Sequence, residues 1–156
     1  MLARTCCFAL QGVEGIPVTV EAYVTSSAQQ IFSIVGLPDT AVRESRDRVY
    51  AALKNNGFAV PTGRVTVSLS PADVRKEGAA FDLSIAVALV MATRQIKPVD
   101  AGKVLLLGEL ALDGRLVPVR GFLSKQTGHY TQQKQKNHIF FHYYILKLIL
   151  PLFREI

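Results

Sequence analysis

Histidine is missing from the first 128 residues of this 156-residue chain, and tryptophan is missing from all of it. The three histidines, His129, His138 and His142, stand close to the C-terminus. Histidine-dependent triads are therefore absent from the greater part of the chain. Cysteine is limited to the neighbours Cys6 and Cys7. Adjacent strand residues point to opposite faces, so the two are poorly placed to bridge each other. Without a disulfide framework, a reducing cytoplasm is the expected compartment. No apolar run approaches the 20 or so residues of a membrane span. The best candidate, Ile139 to Phe153, is shorter and interrupted by His142, Lys147 and Pro151. The N-terminal apolar stretch is too short for a signal peptide. The expected protein is soluble and has no membrane partner.

Nucleotide chemistry lacks its signature too. The Gly102-Lys103 pair is followed by Val104, and Lys97 stands where a P-loop needs its first glycine. There is no Gly-x-Ser-x-Gly elbow and no zinc spacing. What is present is apolar material: 49% hydrophobic residues against 19% charged, with a mean hydropathy of +0.25. That composition rules out an intrinsically disordered chain and suits one compact domain.

Composition breaks near Gly121. Residues 1–121 hold 16 Ala and 17 Val, and residues 122–156 hold neither. The later segment also has seven of the thirteen aromatics. Charge follows the same division: thirteen Lys/Arg against eleven Asp/Glu before the break, five against one after it. The pI near 9.6 thus owes most to the tail. One reading makes Ile145 to Ile156 an unusual C-terminal helix. The preferred one makes residues 122–156 a divergent, non-native or frameshifted tail. His138 and His142 have the i, i+4 spacing of a metal pair, but no third ligand stands near them in sequence.

Before the break, Pro17 to Val24 alternates, with Val18, Val20, Ala22 and Val24 on one face. That pattern predicts a half-buried strand. Cys6 to Leu10 is its expected partner through a Gly12–Gly15 turn, and Ile31 to Val35 a third strand, the three forming an antiparallel meander. Asp39 is placed to cap a helix. That helix holds Val42, Val49, Ala52 and Leu53 inside, pairs Glu44 with Arg48 outside, and stops at Asn55-Asn56-Gly57. Arg64 to Leu69 predicts another strand. Leu83 to Thr93 has almost no polar face and predicts a buried helix, with Asp82 as its N-cap. Val104 to Leu107 predicts a buried strand, and Glu109 to Val119 a hairpin around Asp113-Gly114. Mixed strands and helices give an α/β (two-layer α+β) domain.

The segment from Ser70 to Asp82 joins a strand to the start of the buried helix, where free N–H groups favour an anion. Arg75 and Lys76 would add positive charge, making them the candidate DNA- or anion-binding residues. Asp73, Glu77 and Asp82 could instead hold a cation. The alternative is a solvated loop in which Asp82 caps the helix, Gly78 gives freedom and Phe81 gives an anchor.

Three motifs resemble a known family. They are Gly36-Leu37-Pro38-Asp39-x-Ala41-Val42-x-Glu44-Ser45-Arg46-x-Arg48-Val49, Arg75-Lys76-Glu77-Gly78-x-x-Phe81-Asp82-Leu83, and Gly108-Glu109-Leu110-x-Leu112-Asp113-Gly114-Arg115-Leu116. In this order they resemble the N-terminal domain of the YifB/ComM family of magnesium-chelatase-like AAA+ ATPases, over residues 1 to about 121. The resemblance implies a fold like the Lon protease domain and the second domain of ribosomal protein S-five. In full-length relatives an ATPase module using ATP and magnesium follows, and ComM-like members act as hexameric helicases in branch migration during transformation.

Lon-type proteases carry their serine nucleophile in Lys-Asp-Gly-Pro-Ser-Ala-Gly. The matching stretch here is Lys76-Glu77-Gly78-Ala79-Ala80-Phe81-Asp82, with Ala80 in the serine slot and Leu123 in the slot of the lysine base. Both halves of the dyad are absent. The expectation is a non-catalytic, cofactor-free domain, truncated before its motor. Its role would be assembly into a homo-oligomeric ring or engagement of DNA. A stand-alone enzyme using the Asp73–Asp82 loop as an anion or metal site is the alternative.

Overall fold

Alternation of apolar and polar side chains builds most of the sheet. A computed structural model describes residues 1–11, 14–98 and 100–117. Strands β1 (Leu2–Gln11) and β2 (Glu14–Thr25) pair antiparallel, from Leu2 opposite Tyr23 to Gln11 opposite Glu14. After β3 (Ile31–Val35) come two helices in close succession, α1 (Thr40–Arg43) and α2 (Ser45–Asn55). Strand β4 (Arg64–Ser70) then pairs antiparallel with β2 and parallel with β3. The sheet order is β1-β2-β4-β3. The expected three-strand meander is thus corrected. Strand β3 does not pair with β2, because β4 enters between them after the helical crossover.

One face of the sheet is buried: Ala3, Thr5, Cys7 and Ala9 from β1, Val18, Val20 and Ala22 from β2, Val65, Val67 and Leu69 from β4. Helix α3 (Asp82–Ala92) packs across β1 and β2, with α2 beside it. Every residue of α3 is buried, which accounts for its lack of a polar stripe. Full burial of an aliphatic side chain contributes about 1.5–3 kcal/mol, so this helix anchors the second layer. The result is a two-layer α/β domain with a mixed sheet.

Val104 to Leu107 does not form a strand in the structure. It touches the edge of β1 through a single parallel bridge, Cys6 with Leu105, and Leu106 N donates to Cys6 O at 2.8 Å. The hairpin is present in short form, as β5 (Glu109–Leu110) and β6 (Leu116–Val117), with Gly114 at φ 90° in its turn. The expected hairpin end at Val119, the Gly12 end of the first turn, Leu123, the three histidines and residues 145–156 lie outside the described residues. Among the described residues, no helix is long and apolar enough to cross a membrane.

Candidate functional site

The segment between β4 and α3 is held to the start of α1 by a set of polar contacts. Gly36 precedes α1 at φ 104°, and a Cβ there would meet Leu69 O at 2.0 Å. Only glycine allows β3 to leave the sheet this close to β4. Pro38 and Lys76 then run side by side as a parallel bridge. Lys76 N donates to Leu37 O at 3.1 Å, and Asp39 N donates to Lys76 O at 2.9 Å. The Asp39 carboxylate accepts from Val42 N at 2.8 Å and Gly78 N at 3.0 Å. It therefore caps α1, as its position predicts, and also ties down the following loop.

Lys76, expected beside Arg75 as a free cation, is completely buried. Its ammonium donates to Pro71 O and, at 2.6 Å, to Val74 O. Burial lowers its proton affinity, while Asp73 raises it. The side chain serves as a strut inside its own loop. Arg75 does reach solvent, where it pairs with Glu77 at 3.1 Å. The structure thus separates these two cations instead of joining them in one phosphate cradle.

Asp82 also differs from its expected role. Phe81 occupies the N-cap position of α3, and Asp82 is the first helical residue. Its buried carboxylate grips Arg48, with Nε to Oδ2 at 2.6 Å and Nη2 to Oδ1 at 3.0 Å. Leu110 N adds a third bond at 3.2 Å. Arg48 Nη2 also donates to Ala41 O at 2.7 Å, whereas Glu44 approaches Arg48 only at 3.8 Å. The expected Glu44–Arg48 pair exists, but Asp82 is the closer and more buried partner. Burial pushes the Asp82 carboxyl above the ordinary carboxylate range, against the pull of Arg48 and the Leu110 N–H. This pair joins α2, α3 and β5. Sequence spacing does not reveal it, because the partners stand 34 residues apart and a carboxylate at a helix start has an ordinary local explanation.

These bonds leave little for chemistry. Ala80 has no side-chain donor, and its carbonyl accepts from Gly108 N at 2.9 Å. The nearest thiol, Cys7, lies 3.8 Å from the same carbonyl, and burial pushes its pKa to about 12. It is a protonated core group at neutral pH, unlike an activated nucleophile. The carboxylates of the metal alternative do not converge. Asp82 is bound to Arg48, and Glu77 to Arg75. Among the described residues, no three His, Cys, Asp or Glu side chains group as a metal site.

Asp39, Arg48, Asp82 and Leu110, which make these ties, stand in the three motifs that carry the resemblance. The family model described as subunit ChlI of Mg-chelatase matches residues 20–141. The chain belongs to this ChlI family. Within it, an uncharacterized protein of Mycobacterium tuberculosis (strain H37Rv) is 46% identical over 123 residues, 78% of this chain and 24% of its own length. The uncharacterized protein YifB of Escherichia coli is 42% identical over 116 residues, 74% of this chain and 23% of its own. The competence protein ComM of Haemophilus influenzae is 41% identical over 115 residues, 74% and 22% respectively. The chain spans about a quarter of the length of these relatives. It corresponds to the ChlI-like N-terminal region of YifB/ComM-type proteins. Arg48, Asp82 and Asp39 are thus the polar framework of a ChlI-like domain.

Proposed function

We propose that this ChlI-like domain is a non-catalytic module of a YifB/ComM-type AAA+ ATPase, serving assembly of a ring or engagement of DNA. One observation carries the reading. In the segment where a Lon-type protease holds its nucleophile, the cation Lys76 and the carboxylate Asp82 are both consumed in internal bonds, and Ala80 fills the nucleophile position. The two-layer α/β architecture supports a Lon-like and ribosomal-protein-S-five-like fold. ATP and magnesium would belong to the motor module of longer relatives, and the name competence protein on one relative supports a role near DNA. The division at Gly121, with a divergent segment behind it, is part of the same proposal.

The test combines two assays on the purified full chain. Incubation with ATP and magnesium, and separately with labelled casein, is expected to give no turnover above buffer. Turnover that survives repurification to constant specific activity would reject the non-catalytic reading.

A further inference from the structure

Helix α2 separates its charges between two flanks. On one flank Arg48 is bound to Asp82, Asn55 Nδ2 donates to Leu112 O at 2.8 Å, and Asn56 Nδ2 donates to Asp113 O at 3.0 Å. That flank is closed against β5 and the hairpin turn. The opposite flank holds Arg46, Tyr50 and Lys54 at helical spacing, with Arg43 one turn before them at the end of α1. Contacts confirm this placement. Arg46 lies 5.8 Å from the Tyr50 ring centre, and the Tyr50 ring meets Phe32 of β3 edge-on at 5.4 Å.

Arg43, Arg46 and Lys54 are exposed, and among the described residues none has a carboxylate within ion-pair distance. Asp47 lies along the helix beside the stripe, and Glu44 leans toward Arg48. The stripe therefore keeps a net positive charge. From Arg46 to Lys54 it extends about 12 Å along the helical rise of α2, with Arg43 beyond it at the end of α1. Beside it is an open groove of about 470 Å³ lined by Tyr50, Ala51, Lys54, Phe58 and Val60. The Tyr50 hydroxyl is buried and has no hydrogen-bond partner among the described residues. A buried polar group of this kind calls for a partner.

We propose that this flank of α2 binds single-stranded nucleic acid, its phosphates on Arg43, Arg46 and Lys54 and a base in the Tyr50–Phe58 groove. The proposal rests on the DNA-engagement reading and gives it a location. Charge complementarity selects the ligand: a row of unpaired cations matches a polyanion, and an aromatic-walled groove beside it suits an unstacked base. A duplex keeps its bases stacked and could use only the cations.

Fluorescence anisotropy of the full chain with labelled oligothymidylate about 20 nucleotides long tests this, with a duplex of the same length beside it. Three phosphate contacts predict a log-affinity against log-salt slope of about −2 on the single strand. An Arg43→Ala/Lys54→Ala variant should bring the slope to about −0.7, while Arg75→Ala keeps that of the parent. Phe58→Ala should weaken the single strand more than the duplex. Circular dichroism of each variant checks that it is folded.

Unchanged binding in the folded Arg43→Ala/Lys54→Ala variant would overturn the α2 site while leaving DNA engagement standing. Equal losses on single strand and duplex in Phe58→Ala would overturn the groove. Absence of binding by the parent chain at about 20 mM salt, where phosphate contacts are strongest, would overturn both readings.

Discussion

At the scale of single residues, the Arg48–Asp82 pair and the Cys7 thiol show burial acting in two ways. Asp82 is fully enclosed, and Arg48 favours its charged form by offering two parallel N–H groups. Replacing Arg48 by Met strands that charge, and urea unfolding should show a loss of roughly 3–5 kcal/mol. The pH dependence then has a definite sign. A buried acid whose folded pKa exceeds its unfolded value holds its proton longer in the native state, so stability falls as pH rises between the two values. Arg48→Met should therefore regain stability on acidification toward the ordinary aspartate range. A loss independent of pH would show that packing, not the stranded charge, is responsible. Cys7 has no cationic partner, and burial, opposed by hydrogen bonds with Ser84 and the Phe8 backbone, pushes its pKa to about 12. In a Cys6→Ser variant, iodoacetamide at neutral pH should leave Cys7 unlabelled until urea is added. Between the ordinary thiol value of 9.0 and about 12, Cys7 makes stability fall as pH rises, by about 1.4 kcal/mol per pH unit. Rapid labelling of the folded variant would contradict its enclosure.

At the scale of elements, Asp39 has two duties that can be separated. One carboxylate oxygen caps α1 through Val42 N, and the other holds Gly78 N in the loop before α3. Loss of a cap costs about 1 kcal/mol. Asp39→Ala should cost more than that, and should also accelerate hydrogen exchange at the Gly78 amide. Asp39→Ser can restore the short bond to the helix but does not reach as far. It should recover the cap while leaving Gly78 exchange fast, and slow exchange at Gly78 in both variants would show that the loop is held by other contacts. The cap was legible from sequence because it is a local bond, three residues long. The loop tie spans 39 residues and leaves no periodic mark. The same distinction separates the features of a strand that its own residues encode from those they do not. Alternation in Pro17 to Val24 reports one buried face, which is a local property. Which strand lies beside β3 depends on where the crossover returns, and nothing in Ile31 to Val35 encodes that. The burial of Lys76 is illegible for a related reason: a lysine beside an arginine looks like surface charge until the loop folds its carbonyls around the ammonium.

At the scale of the molecule, the described core closes within the first 110 residues. Its members run from Ala3 to Leu110, and they include the buried face of the sheet, all the apolar residues of α3, and Val104 and Leu106 against the edge of β1. Residues 122–156 carry five cations against one carboxylate and no alanine or valine, a composition unlike that of the core. Removing them should leave a cooperative unfolding transition with nearly the same midpoint, provided the hairpin through Leu116 and Val117 is kept. For a domain of this size, about 1 kcal/mol of lost stability shifts the melting temperature by roughly 4–8 °C. A fall of that size, or larger, after deletion of 122–156 would mean that the segment covers apolar surface of the domain and belongs to its packing. Leu112 and Val117 beside the hairpin, both exposed, are the first places such a cover would act. Changing Leu112 to Ser in the full chain and in the shortened one distinguishes the cases. If the tail packs there, the substitution destabilises only the full chain; if it does not, both chains respond alike.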